Sequence, residues 1–383
     1  MDFEYSDEQR TLREQISRFA ATELKMSASD PAGEGAFPID NWRKCGDMRL
    51  QGLPVPENLG GAGLDPVSTA IALEALGYGC RDGGLVFAIC AHLLACVVPI
   101  WKHGTADQHA RYLPDLCNGA RIAVNGMTEP GTGSDAFNMQ TRAVPKGSGF
   151  VVNGAKTFSS NAPVADLAVV YASTDRDKGY HGGITAFLVE KGTTGFSTGQ
   201  TFRKMGLHNC PVGELLFDDV YVPESAVIGR VGQGAAIFSE SMDWERACLV
   251  AGHIGTIEWL MERAIEHART RKQSGQTISK FQAVSHRIVD TKVRLEAGRY
   301  LTYRAAAGLN RPRTASMDAS IAKLFVSESL LTSAIDTLRV FGGYGLMSEY
   351  GIEQVVRDSV AGTIYSGTSD IQRNIIARWL KLL

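Results

Sequence analysis

The chain has 383 residues, 44% of them hydrophobic and 21% charged, with a formal net charge of −2. That length allows two or three domains, the composition is ordinary for a folded protein and excludes a low-complexity chain, and the small net charge supplies no basic field for nucleic acid. Seven scattered cysteines (Cys45, Cys80, Cys90, Cys96, Cys117, Cys210, Cys248) form no CxxC pair, so buried thiols in a reducing cytoplasm are expected, without disulfides or a metal site.

In chain order, Ser6 followed by Gln9 predicts a capping box, and Leu12, Ile16 and Phe19 recur at helical spacing. A Gly/Pro-rich stretch over 52–63 breaks the helices before a long apolar segment. The start, MDFEYSDEQR, has no signal-type apolar core. The apolar run near 85–100 contains His92 and is expected to fall short of a bilayer span, so no membrane association is expected. Residues 1–120 are read as an N-terminal helical domain. Over 121–229 short β-rich runs (150–152, 168–171 and 184–189) are punctuated by Gly, Asn and Asp, which predicts a middle antiparallel β domain. Over 230–383, helical patterns at 235–271, 281–309 and 317–340 predict a C-terminal helical bundle. The fold class is therefore mainly α with an inserted β domain.

No GxGxxG opens a helix after a strand, and neither a Walker loop nor HExxH is present. Two Gly-rich stretches, Met127 to Asp135 (MTEPGTGSD) and Phe341 to Gly345 (FGGYG), would let a phosphate or heterocycle approach the backbone closely, although each alone reads as an ordinary turn. With GAKTFSSN (154–161), RTRKQSG (269–275) and IYSGTSDIQR (364–373), they resemble, in order and over essentially the whole chain, the motifs of the acyl-CoA dehydrogenase superfamily. The resemblance implies a helical, a β and a four-helix-bundle domain, FAD as cofactor, and a homo-oligomer, typically a tetramer. It places Met127, Thr128, Gly133 and Ser134 at the flavin and substrate mouth, Phe158 over the isoalloxazine and Ser160 at flavin N5. Arg271 becomes the pyrophosphate anchor, where a planar guanidinium fork suits phosphate. Arg339, Gly342 and Gly343 are implied to reach a neighbour's cofactor, with Ser274, Thr368 and Asp370 also at the dinucleotide. Ser274, Arg339 and Asp370 depart from the usual Phe, Gln and Gln.

Desaturating a thioester requires a base at the α carbon and hydrogen bonds to the carbonyl. Most of the family carries the base where this chain has Ser366, whose hydroxyl cannot serve near pH 7. A minority carries it on an earlier helix, where Glu245 shares a helical face with Met242, Cys248, Leu249 and Gly252. By periodicity alone Glu245 reads as a solvated ion-pair partner, and the family position makes it the base. Arg246 then orients it, with Asp243 beside the site, and the Ser366 backbone N–H polarises the thioester oxygen.

Residues 84–92, 161–166, 244–249 and 366–370 are similar to the branch that acts on acyl groups tethered to acyl or peptidyl carrier proteins in secondary metabolism, nearest to the prolyl-carrier-protein type. A basic run (Arg263, His267, Arg269, Arg271, Lys272) suits an acidic carrier, although a solvated helix face explains it equally well. A short- or branched-chain CoA thioester is the alternative substrate. The electron acceptor is expected to be an electron-transfer flavoprotein or oxygen. A flavin monooxygenase or oxidase on the same scaffold, and a non-catalytic scaffold, are the rival readings. His92, His208 and His286 lack metal spacing and are read as structural or surface residues, and Trp101 and Tyr300 as core aromatics.

Overall fold

The computed structural model describes residues 4–25, 37–311 and 315–383. The Ser6 hydroxyl accepts the Gln9 N–H at 3.2 Å, and Gln9 Oε1 accepts the Ser6 N–H at 3.1 Å. This capping box opens α1 (Asp7–Glu23), which is followed by α2 (Ile39–Asp47) and α3 (Pro66–Gly79). Then α4 (Gly83–His92) runs through a π-helical turn, Leu93–Val97, into α5 (Val98–His103), and α6 (Ala106–Cys117) closes the layer. The run Gly83–His103 is 21 residues and apolar enough to cross a membrane by length and composition, longer than the sequence reading allowed. Its most apolar window is 78% buried within the protein, so its apolar character serves the core.

Strands follow: β1 (Ala123–Gly126), β2 (Arg142–Lys146), β3 (Gly149–Ser160), β4 (Leu167–Ser173), β5 (Ile184–Glu190), β6 (Phe196–Thr201), β7 (Val212–Pro223) and β8 (Val227–Ile228). They make one sheet in the order β6-β7-β3-β2-β4-β5-β8, with β1 added on β4. Most pairings are antiparallel, but β1 and β2 each run parallel to β4, a feature that alternation in the sequence does not signal. Both faces of β4 are buried, because helices cover one and a second apolar cluster fills the other.

The C-terminal part begins with α7 (Gly234–Thr270), then the hairpin β9 (Lys272–Gln273) and β10 (Gln276–Thr277), α8 (Gln282–Gly308) and α9 (Ala315–Phe341). The shorter α10 (Ile352–Gly362) and α11 (Ser369–Trp379) pack on α9 and complete the bundle. α7 also packs along α3, where a Cβ at Gly77 would lie 2.1 Å from the Gly252 carbonyl oxygen and one at Gly255 would lie 2.0 Å from that of Glu74. Glycine is required for this contact, which fixes α7 against the N-terminal layer. A buried ionic cluster reinforces it. Glu74 on α3 accepts from Arg299 at 2.9 Å and from the Tyr303 hydroxyl at 2.7 Å, while Arg13 and Arg299 share Glu258. All seven cysteines are buried and unpaired. Tyr300, read from sequence as a core residue, is 47% exposed on α8, whereas Trp101 packs against the core beside Trp244.

Candidate active site

Glu245 projects from the first third of α7 and is 6% exposed, on a stripe with buried Met242, Cys248, Leu249 and Gly252. The stripe is buried because α3, α5, β5 and the π-helical turn all pack on α7. The Ser366 hydroxyl donates to Glu245 Oε1. Burial pushes the Glu245 carboxyl above its ordinary range, while the Ser366 hydrogen bond and the charges of Arg246 and Lys323 pull it partly back. A desolvated carboxylate of raised basicity can take a carbon-bound proton.

The segment that holds Ser366 is unusual. Ser366 has φ +56° and Gly367 φ +89° in succession, a left-handed path that a non-glycine residue enters at a cost of about 1–3 kcal/mol. Three side chains hold it there. Arg246 Nε donates to the Ser366 carbonyl at 3.0 Å, Lys323 Nζ donates to the Gly367 carbonyl at 2.8 Å, and Gln372 Nε2 donates to both, at 3.1 and 2.8 Å. With both carbonyls drawn toward the bundle, the Ser366 N–H has no partner among the described residues. Lys323 is 1% exposed, and burial, then repulsion from Arg246, pulls its ammonium down to about 8. Neither Lys323 nor Gln372 stood out in the sequence, where a lysine within an Ala/Leu-rich helix reads as a solvated charge. Asp243, two residues before Glu245, lies 4.0 Å from Arg246, and burial pushes its carboxyl up to about 6.

A cavity of about 360 Å³, within the range of small-molecule sites, lies between α4, α7 and α10; its lining meets α7 from Leu249, one turn past Glu245, and includes Tyr365, the neighbour of Ser366. Its lining includes Phe87, Leu249, His253 and Tyr365. Phe87 stacks on Tyr365 with ring centres 4.3 Å apart.

The β domain supplies a second wall. The buried pair Lys156–Glu129, at 2.8 Å, and the bond from Lys156 Nζ to the Met127 carbonyl, at 3.1 Å, pin the loop 127–135 to β3. Both residues lie within the quoted motifs, but their pairing is visible only in three dimensions. Met127 is 4% exposed, and the Thr128 carbonyl accepts the Thr157 N–H at 2.8 Å. A Cβ at Gly131 or Gly133 would meet no protein atom within 4 Å, so the space above this loop, where Ser134 also lies exposed, is open to a flat ligand. Phe158, at φ +53°, turns its ring outward, 64% exposed and touching Phe202, while Ser160 bonds the Cys210 thiol. An exposed aromatic ring beside an open glycine loop offers a flat surface on which a planar ring can stack.

Arg271, Ser274, Arg339, Gly342 and Gly343 stand elsewhere. Arg271 follows the end of α7 and sits over Tyr344 at 5.4 Å. Ser274 (φ +50°) and Gly275 (φ +78°) form the β9–β10 turn. Arg339, with Arg287 and Arg294, surrounds Asp336, three cations on one carboxylate. Gly342 and Gly343 have open space at their Cβ positions. From Glu245 to Thr270 the helix advances about 38 Å at 1.5 Å per residue, so this cationic end lies far along α7 from Glu245. Thr368 accepts the Ile371 N–H at 3.2 Å as the cap of α11, and exposed Asp370 pairs with Arg373 at 2.9 Å. The exposed Phe158 ring and the open loop offer a stacking surface that fits the ring system of FAD.

His92 is structural. Its Nδ1 accepts the Ala123 N–H at 2.9 Å, which leaves Nε2 to donate to the Leu116 carbonyl at 3.0 Å, and burial holds the ring neutral, down to about 4. His208 bonds Arg357 at 2.8 Å, and His286 is exposed.

Family models for the acyl-CoA dehydrogenase N-terminal, middle and C-terminal domains match residues 6–120, 125–220 and 232–381. The chain belongs to the acyl-CoA dehydrogenase family, FAD-dependent oxidoreductases that act on the CH–CH bond of acyl thioesters. It is 44% identical over 383 residues to an L-prolyl-[peptidyl-carrier protein] dehydrogenase of Pseudomonas fluorescens, which covers 100% of both chains. Among solved structures, the FAD complex of PigA matches with a TM-score of 0.96 at 41% identity over 100% of both chains. The prolyl acyl carrier protein oxidase AnaB matches with a TM-score of 0.95 at 38% identity, over 98% of this chain and 100% of that one.

Proposed function

We propose that this protein removes two hydrogens from the α and β carbons of a prolyl group carried as a thioester on a peptidyl carrier protein in secondary metabolism, with Glu245 as the base. The observation that carries this reading is the buried Glu245 carboxylate, bonded to Ser366 and raised in basicity, one helical turn from Leu249 at the wall of a cavity of small-molecule size. The names of the Pseudomonas relative and of AnaB supply the carrier and the acyl group. Bound FAD supplies the acceptor of the β hydride.

Glu245 takes the α proton. The negative charge that develops on the thioester oxygen is met by the Ser366 N–H, which Arg246, Lys323 and Gln372 present by holding the two following carbonyls from behind. Phe158, Met127, Thr128, Gly133, Ser134 and Ser160 form the cradle for the flavin ring. Arg271, Ser274, Arg339, Gly342 and Gly343 serve the dinucleotide of a neighbouring chain, which makes a homo-oligomer, a tetramer by family resemblance, the working unit. Thr368 and Asp370 border the same dinucleotide. Electrons leave to an electron-transfer flavoprotein or to oxygen, and seven reduced thiols fit a cytoplasmic setting.

The test offers prolyl thioester on a phosphopantetheinylated carrier and on CoA, without oxygen. Loss of flavin absorbance with the carrier substrate, and a product lighter by two or four hydrogens in the mass spectrum, are expected. Faster reduction by the CoA thioester would reassign the carrier. A flavin that no thioester reduces, but a separate reductase does, would replace the dehydrogenase reading by a monooxygenase.

A further inference from the structure

The cavity is lined by apolar residues, Val86, Phe87, Leu249 and Val355 among them, and by polar ones that include Arg81, Glu349 and Asp358 as well as the pair His253 and Tyr365. His253 Nε2 lies 2.7 Å from the Tyr365 hydroxyl, and both side chains line the cavity. Tyr365 immediately precedes Ser366, whose hydroxyl bonds Glu245, so the phenol stands one residue from the reacting centre. His253 lies eight residues past Glu245, about two turns along α7.

The fold makes room for this pair. A Cβ at Gly362 would fall 3.1 Å from His253 Cε1 and 3.6 Å from the Tyr365 hydroxyl, so a side chain there would crowd both. Phe87 fixes the plane of the tyrosine ring by stacking on it. His253 Nδ1 is buried with no hydrogen-bond partner. Burial, then the nearby Lys323 charge, holds the imidazole neutral, down to about 3. In the tautomer with its proton on Nδ1, the neutral imidazole accepts the phenolic O–H at Nε2, and the phenol oxygen keeps lone pairs for a further donor. An alkyl acyl group would leave that oxygen unmet, a loss that buried polar groups do not recover elsewhere.

We propose that the Tyr365–His253 pair accepts a hydrogen bond from an N–H on the α carbon of the acyl group, so that the cavity selects a cyclic α-amino acyl thioester over its carbocyclic counterpart. This inference rests on the thioester chemistry proposed above and adds to it the device that chooses the acyl group. Sites built to bond a substrate N–H reject analogues lacking it by factors that reach about 10⁴. A single hydrogen bond between neutral partners is worth less than that, about tenfold to a hundredfold.

Two acyl groups of equal ring size separate recognition from shape: prolyl, with a ring N–H, and cyclopentanecarbonyl, with CH₂ in its place. Each is loaded on the same carrier protein. The anaerobic rate of flavin reduction over the dissociation constant is then measured for wild type, Tyr365→Phe and His253→Leu, with product masses alongside. The intrinsic difference in α-proton acidity between the two thioesters cancels when enzymes are compared. The expected result is a prolyl-to-cyclopentanecarbonyl ratio that falls about tenfold or more in both variants. An unchanged ratio in Tyr365→Phe with flavin bound overturns the inference and leaves the dehydrogenase reading intact. An unchanged ratio in His253→Leu alone overturns the part given to the imidazole. A wild type reduced by neither thioester overturns the function itself.

Discussion

Replacing Glu245 with Gln separates the charge of this side chain from its shape. The amide retains an oxygen to accept the Ser366 hydroxyl, so the bond that ties α7 to the segment before α11 survives. The base does not. General-base catalysis is worth about 10²–10⁴ in rate, or about 2.7–5.5 kcal/mol of barrier. No second carboxylate at Ser366 can take over. Asp243 is two positions away and so about 200° around the helix. Glu349 and Asp358, on the cavity wall, come from the loop before α10 and from α10 itself. The loss in flavin reduction by substrate is therefore expected near the upper end, about 10⁴, measured by anaerobic stopped-flow with FAD content confirmed by absorbance. Stability should move the other way. Burial holds the folded-state carboxyl above its unfolded value, so the native state binds more protons than the unfolded one between the two values. Stability is then lost as pH rises through that window, and the full penalty stands above the folded value. E245Q removes the penalty, so its Tm should exceed that of the wild type at pH 8, with the gap closing toward pH 4. Reduction within about tenfold of wild type, well inside the range a general base commands, would refute the assignment of the base. A Tm lowered equally at both pH values would refute the electrostatic account.

Ser366→Ala removes a hydrogen bond that favours ionised Glu245, so the acid limb of the kcat/KM profile should move to higher pH. Lys323→Met leaves the Gly367 carbonyl to Gln372 alone and deletes a charge that helps ionise Glu245. It should slow flavin reduction about tenfold, shift the same limb upward, and destabilise the fold by about 1–3 kcal/mol, read by stopped-flow and thermal unfolding. Lys156→Met strands Glu129 in the interior and frees the 127–135 loop, which should cost about 3 kcal/mol of stability. The purified protein should then retain less FAD, as measured by its absorbance ratio.

The sequence by itself determined the local structure and the chemistry that sits in contiguous stretches. Ser6 and Gln9 are three residues apart, so their capping box is a property of the chain, and the long helices and the β-rich region follow from apolar periods of 3.6 and 2. The motif residues Met127 and Phe158 were visible because they sit in contiguous stretches, whereas periodicity alone read Glu245 as a solvated ion-pair partner and only the family position singled it out. Contacts across the fold decided the rest. Alternation is the same for parallel and antiparallel strands, so the parallel pairing of β1 and β2 with β4 had no local mark. Tyr300 and Trp101 look alike as isolated aromatics, and only packing leaves one exposed and the other covered. Lys323, Gln372 and Arg246 come from three helices and meet at two carbonyls, and Lys156 meets Glu129 across 27 residues. A buried polar side chain is specified by the partner that satisfies it, and that partner is chosen by tertiary packing rather than by neighbours in the chain.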